Sequence, residues 1–365
     1  MHDVIVIGGG VIGLSIAREL AGRKAVLVLD RGATGEGTSW AAAGMLSPLS
    51  EADDQDPFFQ LCRASHDTYR KFIGELEDET GIDCGYSSSG LLCLACSEES
   101  ANALRRRCEW QRKAGFAVEN ISADEVRRME PLITADILMA LFMPAESSVV
   151  PRRLVNALRE SCLKRGVEIR TGVRVQGISK NAVRTDGPTF EAPGIVVASG
   201  VWSPELAGLD PPIPVYPRKG QILSLCMPPG AFRHMIRWHH SYFVPRNDGD
   251  LVVGATDEDV GFDRSVTPAG IGKLLADAQA ISSHVGSYPI METWTGLRPA
   301  TQDGLPVIGP SAIPGVFYAT GHYRNGVLLA PITASIIADL VSNGRSRVAI
   351  EPYAPSRFGN SGTDA

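Results

Sequence analysis

The chain has 365 residues and a formal net charge of −6, which disfavours a nucleic-acid binder because such proteins normally present a basic face. Hydrophobic residues make up 44% and charged residues 21%, as in an ordinary globular protein of two or three structural units. No run of eighteen apolar residues occurs, so the sequence predicts no transmembrane helix.

The first thirty residues predict a βαβ unit. Residues 4–7 (VIVI) are a β-branched apolar run, typical of a strand that is buried on both faces of a parallel sheet. A glycine-rich turn at residues 8–13 follows, and apolar residues then recur at helical spacing as far as Leu20. Residues 25–29 form a second apolar run, which ends at Asp30.

The rest of the chain alternates between helical and strand-like patterns. Helices are predicted over residues 53–80, after a capping box at 122–125, and over 152–165, 268–283 and 328–340. Strands are predicted over residues 89–95, 167–170, 172–178, 194–199, 221–225, 241–245, 251–255 and 316–319. A turn at 247–250 joins two antiparallel strands, and the residues after Tyr353 are expected to fray.

The spacing G-x-G-x-x-G at residues 8–13, between a strand and a helix, indicates a dinucleotide site. Gly8 permits the tight turn, Gly10 lets the backbone approach a pyrophosphate, and Gly13 lets the helix pack closely on the strand. Asp30 can accept hydrogen bonds from a ribose diol and would repel a 2′-phosphate, so NADP is disfavoured. The alternative is a glycine-rich turn that binds no ligand.

Two further segments favour FAD over NAD. A nicotinamide enzyme normally continues with regular βα units, whereas residues 34–46 are small and polar and suit backbone lying against a large flat cofactor. The loop at residues 321–326 precedes a helix, whose N-terminal amides could face the electron-rich ring of a reduced flavin.

Several motifs occur in a fixed order along nearly the whole chain. They are the fingerprint at 8–13, TSWAAAGML at 38–46, VVASGVWS at 196–203, KGQ at 219–221, YFVPR at 242–246, LVVGAT at 251–256, WTGLRP at 294–299, DGLPVIG at 303–309 and GHYRNGVLLAP at 321–331. In these motifs the chain resembles the D-amino-acid oxidase family of flavoproteins, most closely its glycine oxidase branch, which serves thiamine biosynthesis.

This resemblance implies an α/β protein (α+β overall) with a Rossmann-like FAD-binding domain and a substrate domain that has a large antiparallel sheet. The FAD-binding domain would be discontinuous, with residues 1–85, 145–215 and 295–365, and the substrate-binding domain would comprise residues 86–144 and 216–294. The FAD-binding residues are then Gly8, Gly10, Val11, Ile12, Gly13, Asp30, Arg31, Thr38, Ser39, Ala43, Gly44, Met45, Val173, His322, Tyr323, Arg324, Asn325, Gly326, Val327 and Leu328. No metal site is predicted, because Cys93 and Cys96 lack a second pair of ligands.

The resemblance also implies three residues at the reacting end of the site. Arg298 would bind the substrate carboxylate, which a planar guanidinium can hold bidentately. Tyr242 would donate a second hydrogen bond to that carboxylate, and Arg324 would add positive charge near the flavin or the substrate. The alternatives are a structural ion pair on a turn for Arg298, a core-filling side chain for Tyr242 and a loop anchor for Arg324.

The implied reaction is FAD-dependent oxidative deamination of glycine or another small amino acid, including small D-amino acids and sarcosine. Hydride transfer to flavin would give an imine, then an oxo acid and ammonia, with hydrogen peroxide formed from oxygen. The alternatives are a D-amino-acid oxidase, a quinone-linked D-amino-acid dehydrogenase, and a flavin subunit of a multicomponent dehydrogenase. Some relatives attach flavin to a cysteine in the C-terminal third, but the last cysteine here is Cys226, so FAD is expected to bind noncovalently.

Seven cysteines cannot all pair, and free thiols favour a reducing compartment. An apolar strand that begins at Val4 leaves no room for a signal peptide ahead of it, so a cytoplasmic location is expected. The expected partners are a small amino acid and oxygen, and a homo-oligomer is left open.

Overall fold

The computed structural model describes residues 1–358. In chain order its strands are β1 (Val4–Ile7), β2 (Val26–Leu29), β3 (Met45–Leu46), β4 (Leu91–Ala95), β5 (Glu119–Ser122), β6 (Met139–Met143), β7 (Ser147–Ser148), β8 (Glu168–Arg170), β9 (Val175–Ser179), β10 (Ala182–Thr185), β11 (Phe190–Glu191), β12 (Gly194–Val197), β13 (Tyr216–Cys226), β14 (Met235–Trp238), β15 (Ser241–Pro245), β16 (Asp250–Gly254), β17 (Ile290–Ala300), β18 (Val307–Pro310) and β19 (Val316–Thr320). Its α-helices are α1 (Val11–Leu20), α2 (Thr38–Ala41), α3 (Pro48–Glu51), α4 (Pro57–Thr80), α5 (Glu98–Lys113), α6 (Ala123–Met129), α7 (Pro151–Lys164), α8 (Pro268–Ile281) and α9 (Gly326–Asn343).

A six-stranded sheet in the order β18-β19-β12-β1-β2-β8 contains the predicted βαβ unit, and every strand pair in it except β18 with β19 is parallel. Both faces of β1 are covered, which is why its sequence is apolar throughout. Val4 and Val6 pack with residues of α1, α4, α7 and α9, whereas Ile5 and Ile7 pack on the opposite face with residues of β9 and β10. The predicted parallel sheet is confirmed.

An eight-stranded sheet in the order β17-β13-β16-β15-β14-β4-β6-β5 forms the second large layer. Adjacent strands in it pair antiparallel except β14 with β4, and its longest pairing joins β13 to β17 through ten residue pairs. The division of the chain into two domains stays a prediction. The six-stranded sheet takes strands from all three segments assigned to FAD binding, and β17 crosses the proposed boundary at residue 295.

Several segments differ from the sequence-based expectations. Helix α5 was not predicted, because it is rich in charge and buries few residues, among them Ala101 and Cys108. Helix α4 begins four residues later than predicted, since the Asp56 carboxylate caps it by accepting from the Phe59 amide at 2.6 Å. The segment Pro355–Phe358 forms a 3₁₀ turn where a frayed end was expected, and the rest of that tail lies outside the described residues.

Among residues 1–358, one helix is long and apolar enough to cross a membrane by length and composition. It is α9, with a mean hydropathy of 1.5. Two thirds of it (67%) is buried within this fold, where it packs against α1 and α4. A buried core helix passes the same test, and this packing accounts for its composition.

Candidate active site

A cavity of about 1140 Å³ runs from the turn after β1 to the face of strands β13, β15 and β17. It exceeds the roughly 300–1,000 Å³ usual for small-molecule sites, so it has room for a dinucleotide together with a small substrate. The predicted site residues line this cavity, with the exceptions of Gly13 and Leu328.

Two glycines of the glycine-rich turn, Gly8 and Gly13, have no room for a side chain. Gly8 has φ +109°, and a Cβ there would lie 2.4 Å from the carbonyl oxygen of Ala198. Gly10 precedes α1 in an extended conformation and offers no side chain to cap that helix. Gly13 lies beneath the turn, where a Cβ would come within 1.9 Å of the carbonyl oxygen of Gly8. The backbone at the N-terminus of α1 is therefore open to an anionic group.

The Asp30 carboxylate lies at the end of β2, on the cavity wall. It accepts backbone hydrogen bonds from Gly9 at 2.6 Å and Gly32 at 2.9 Å. Burial raises the pKa of Asp30, and these two amides oppose the rise. Each carboxylate oxygen can accept more than one hydrogen bond, so Asp30 can also bind a hydroxyl group in the cavity.

The adenosine end of the cavity is expected near Arg31 and Val173, which lie on its wall with Trp202. The guanidinium carbon of Arg31 lies 4.3 Å from the centroid of the Trp202 ring, in a cation–π contact. Trp202 was present in a recognised motif but was not predicted as a site residue.

The segment from Thr38 to Met45 forms the next part of the wall. The Ser39 hydroxyl accepts from the Val11 amide at 2.9 Å, which ties α2 to the start of α1. The carbonyl of Ala43 accepts a short hydrogen bond from Arg246, and that guanidinium also donates to the Val149 carbonyl at 2.9 Å. Arg246, on the motif YFVPR, thus fixes the cofactor-side backbone.

The loop before α9 lies on the cavity wall, and its histidine is uncharged at neutral pH. His322 is 3% exposed, its Nε2 lies 3.1 Å from the Thr333 hydroxyl, and burial lowers its pKa to about 3. Tyr323 donates its amide to the Pro299 carbonyl at 2.9 Å. Asn325 is the N-cap residue of α9, and Gly326 and Val327 follow it on the wall. Leu328 is buried in the core, where its carbonyl accepts from Ser65 at 2.6 Å.

Arg298 lies in strand β17, not on a turn, and its side chain is 16% exposed. Its Nη1 donates to the Thr256 carbonyl at 3.1 Å and lies 3.7 Å from the Asp257 carboxylate. The guanidinium covers Gly220 of β13, where a Cβ would lie 2.4 Å from Nη2. The glycine therefore makes the space that this side chain occupies in the cavity wall.

Tyr242 lies in β15 and reaches the same part of the cavity. Its phenol lies over Gly254 of β16, where a Cβ would be 2.5 Å from the hydroxyl oxygen. Burial raises the pKa of Tyr242, and the charges of neighbouring guanidinium groups, Arg298 first among them, counteract part of that rise. The hydroxyl is therefore protonated at neutral pH and can donate a hydrogen bond.

Arg324 lines the cavity with a side chain that is 44% exposed. Its Nη2 lies 3.3 Å from Oε1 of Glu51, and the same oxygen lies 3.2 Å from Nη1 of Arg237. Glu51 thus partly neutralises two arginines beside Tyr242. Sequence patterns did not single out Glu51, Arg237, Gly220 or Gly254, although both glycines lie within recognised motifs.

The residues present fit FAD. The turn at Gly8 and Gly10 admits a pyrophosphate, and Asp30 can accept from a ribose hydroxyl. The dinucleotide turn and the pair Arg298 and Tyr242 line the same cavity. This arrangement places the protein among the dinucleotide-dependent oxidoreductases. More narrowly, the chain belongs to the DAO family of FAD-dependent oxidoreductases, whose profile matches residues 3–340.

Relatives and a solved structure agree with this assignment. The bifunctional protein ThiO/ThiG of Synechocystis sp. is 37% identical over 98% of this chain and 54% of its own length, so the chain spans about half of that relative. The glycine oxidase of Geobacillus kaustophilus is 35% identical over 98% of this chain and 97% of its own length. The crystal structure of glycine oxidase from Geobacillus kaustophilus has a TM-score of 0.93 and 34% identity, covering 97% of this chain and 98% of the other.

Proposed function

We propose that the protein oxidises glycine or another small amino acid at its Cα–N bond, giving an imine that hydrolyses to an oxo acid and ammonia. Oxygen would accept the electrons and yield hydrogen peroxide. The observation that carries the proposal is the pair of Arg298 and Tyr242, which converge on one end of the cavity that also contains the dinucleotide turn. The similarity to full-length glycine oxidases supports the same substrate class.

The proposed cofactor contacts follow the cavity wall. Gly8, Gly10 and Ser39 would surround the pyrophosphate, and Asp30 would accept from the ribose. The backbone from His322 to Gly326 would face the ring. When bound, FAD supplies a two-electron acceptor for the hydride that leaves Cα of the amino acid.

Arg298 would hold the substrate carboxylate with the N–H groups that its contact with Thr256 leaves available. Tyr242 would donate its phenolic hydrogen to the same carboxylate. Two fixed donors set both the position and the direction of the Cα–H bond, so catalysis is mostly orientation. Arg324 would add positive charge that Glu51 keeps in place.

This chemistry needs no side chain as a base when the amine arrives neutral. His322 is an unsuitable base, because its Nε2 faces Thr333 and burial lowers its pKa to about 3. Turnover at limiting substrate should therefore rise on the alkaline side of neutrality, as the substrate amine loses its proton. A flat profile from neutral to mildly alkaline pH would count against this mechanism.

The experiment that tests the function is a substrate panel in an oxygen electrode with the purified yellow protein. Glycine, sarcosine, D-alanine, D-proline and bulkier D-amino acids should be compared without an added acceptor. Oxygen uptake with glycine or sarcosine supports the proposal, and preference for bulkier D-amino acids would favour a D-amino-acid oxidase. Turnover only with an added quinone would favour a dehydrogenase, and no turnover by the chain alone would favour a subunit that acts with partners.

A role in thiamine biosynthesis and a cytoplasmic location remain part of the proposal. The naming of the Synechocystis relative as ThiO/ThiG supports the first. Seven free cysteines among the described residues, most of them buried, support a reducing compartment.

A further inference from the structure

A segment without helix or strand, residues 256–267, connects β16 to α8 and forms one side of the cavity at the Arg298 end; we name it the 256–267 loop. It is held by hydrogen bonds to β13, the strand that carries the motif KGQ. The backbone groups of Lys219 and Glu258 exchange two hydrogen bonds of 2.9 Å. The motif KGQ therefore fixes one side of the cavity through its backbone.

Gln221 connects both ends of the 256–267 loop. Its side-chain oxygen accepts from the Thr267 amide at 2.9 Å, and its amide nitrogen donates to Glu258 at 2.8 Å. Its backbone donates to the Thr256 hydroxyl at 2.8 Å. The side chain is fully buried, and Gly270 of α8 leaves the space above it, since a Cβ there would lie 2.2 Å from Nε2.

The 256–267 loop covers Lys219, whose side chain is 1% exposed. Its Nζ is 2.8 Å from Oδ2 of Asp263 and 3.3 Å from Oε2 of Glu258. One ammonium group therefore holds together two carboxylates of the same loop. Without it, these two negative charges would lie close together with no cation between them.

The loop that Lys219 holds is in direct contact with the substrate-side arginine. The Thr256 carbonyl accepts from Arg298 Nη1 at 3.1 Å, while the Thr256 hydroxyl donates to Glu258 at 2.5 Å. Asp257 follows, and its carboxylate lies 3.7 Å from Arg298 and 3.0 Å from Arg218. A shift of the loop would change which of these acceptors holds the guanidinium.

We propose that Lys219 is a positioning residue for substrate binding: through Glu258 and Asp263 it fixes the 256–267 loop, whose Thr256 carbonyl aims Arg298 into the cavity. This inference rests on the proposed function. Loss of the ammonium lets the loop move, and Arg298 then turns toward the Asp257 carboxylate, which competes with the carboxylate of the substrate. The effect falls on ligand affinity, while the cofactor turn at Gly8 is part of another sheet and keeps its shape.

The test uses the FAD-loaded protein and acetate, a small carboxylate without an amine, whose binding is followed by the change in flavin absorbance. Lys219→Met should raise the acetate Kd by at least about tenfold, which corresponds to about 1.4 kcal/mol. The KM for the amino acid should rise by a similar factor, with a much smaller change in kcat. Asp263→Asn removes one of the two ion pairs of Lys219, at a half-exposed position. It should also raise the acetate Kd, but by a smaller factor.

Two further variants make the test specific. Lys113→Met removes an exposed helical ion pair, 3.0 Å from Glu109, and should leave the acetate Kd unchanged. The triple variant Lys219→Met, Glu258→Gln, Asp263→Asn carries no charge in the cluster and should recover part of the lost affinity. This recovery is expected because Glu258 and Asp263 no longer repel each other within the loop.

Different results overturn different claims. If Lys219→Met and Asp263→Asn lower only the Tm or the flavin content, and the flavin-loaded fraction binds acetate as the parent does, Lys219 is structural and the positioning role is wrong. If the parent neither binds acetate nor oxidises any amino acid of the panel, the proposed function fails first, and the positioning role fails with it.

Discussion

The hydroxyl of Thr38 donates a hydrogen bond to the carbonyl oxygen of Leu297, with 2.5 Å between the two oxygens. This bond joins α2, on the cofactor side of the cavity, to β17, one residue before Arg298. The indole of Trp294 adds a second bond of 3.0 Å to the Ala41 carbonyl. The two halves of the site are therefore in direct contact through α2 and β17.

The cofactor turn can be tested with a pair of glycine variants. Gly8→Ala should abolish FAD binding, because Gly8 has φ +109° and the new Cβ would lie 2.4 Å from the Ala198 carbonyl oxygen. Gly22→Ala is the matched control, since Gly22 has φ +83° but no heavy atom within 4 Å of the added Cβ. It should cost about 1 kcal/mol of stability and keep the flavin. Flavin absorbance per protein, together with the Tm, measures both effects, and equal flavin loss in the two variants would refute the prediction.

Arg298→Ala should lower kcat/KM by roughly 30-fold to several thousand-fold, because truncating one partner of a desolvated charge pair costs about 2–5 kcal/mol. Arg298→Lys should recover only part, since an ammonium lacks the planar fork. FAD content should stay near that of the parent. Steady-state oxidation by the flavin-loaded variants is the measurement. An alanine variant with the parent kcat/KM would mean that the carboxylate binds elsewhere.

Tyr242→Phe should lower kcat/KM by about 10- to 100-fold, because a hydrogen bond to a charged group contributes about 1.5–3 kcal/mol. The ring still fills the space over Gly254, so the protein should fold and keep its flavin. The affinity for acetate, measured by titration, and the kcat/KM for amino-acid oxidation should fall together. A change in Tm without a change in either would assign Tyr242 to the core.

Glu146 should make stability depend on pH in a specific window. It is fully buried, with Oε1 accepting from the Leu49 amide at 3.0 Å, and burial raises its pKa from 4.5 to about 8. Between these two pH values the folded protein holds a proton that the unfolded chain has lost, so rising pH favours unfolding.

Glu146→Gln should remove that dependence. Between pH 4.5 and 8 the free energy of unfolding of the parent should therefore fall, relative to that of this variant, by at most about 1.4 kcal/mol per pH unit. Urea unfolding at pH 5.5 and pH 8, at constant FAD, measures the difference. The exposed Glu75→Gln on α4 serves as the control. If the difference in free energy of unfolding between the parent and Glu146→Gln is the same at both pH values, Glu146 is ionised in the folded protein.

The FAD is expected to be released completely on acid precipitation. Cys226, the last cysteine, is exposed at the end of β13 and is not on the cavity wall. Yellow colour that stays with the denatured pellet would contradict noncovalent binding. Absorbance of the supernatant at the flavin bands gives the fraction released.

Local pattern was enough to predict the unit from β1 to β2, because its strands are apolar throughout and its turn needs glycine. It was not enough for α5, whose mostly charged face leaves little periodicity to read. Strand β17 was also missed as a strand, since it contains Gly296 and Pro299 and is stabilised by pairing with β13, whose partner residues lie 65 to 84 positions away in the sequence.

The site shows the same limit. The resemblance of their motifs predicts roles for Arg298 and Tyr242, and the structure places both side chains on the cavity wall. Their neighbours Gly220 and Gly254 act through the space that they leave, which only the strand register reveals. Lys219 carries an ordinary surface residue type, and nothing in its sequence context predicts a side chain that is 1% exposed.

The strand order of the six-stranded sheet has a consequence for synthesis. Strand β1 pairs with β2 within thirty residues, but its other edge pairs with β12, and β12 in turn pairs with β19. A chain growing from the ribosome therefore carries an apolar strand with one open edge until residue 197 has emerged, and the sheet is completed only after residue 320. N-terminal fragments that stop earlier should be substrates for chaperones or should aggregate, because an unpaired apolar edge recruits other strands.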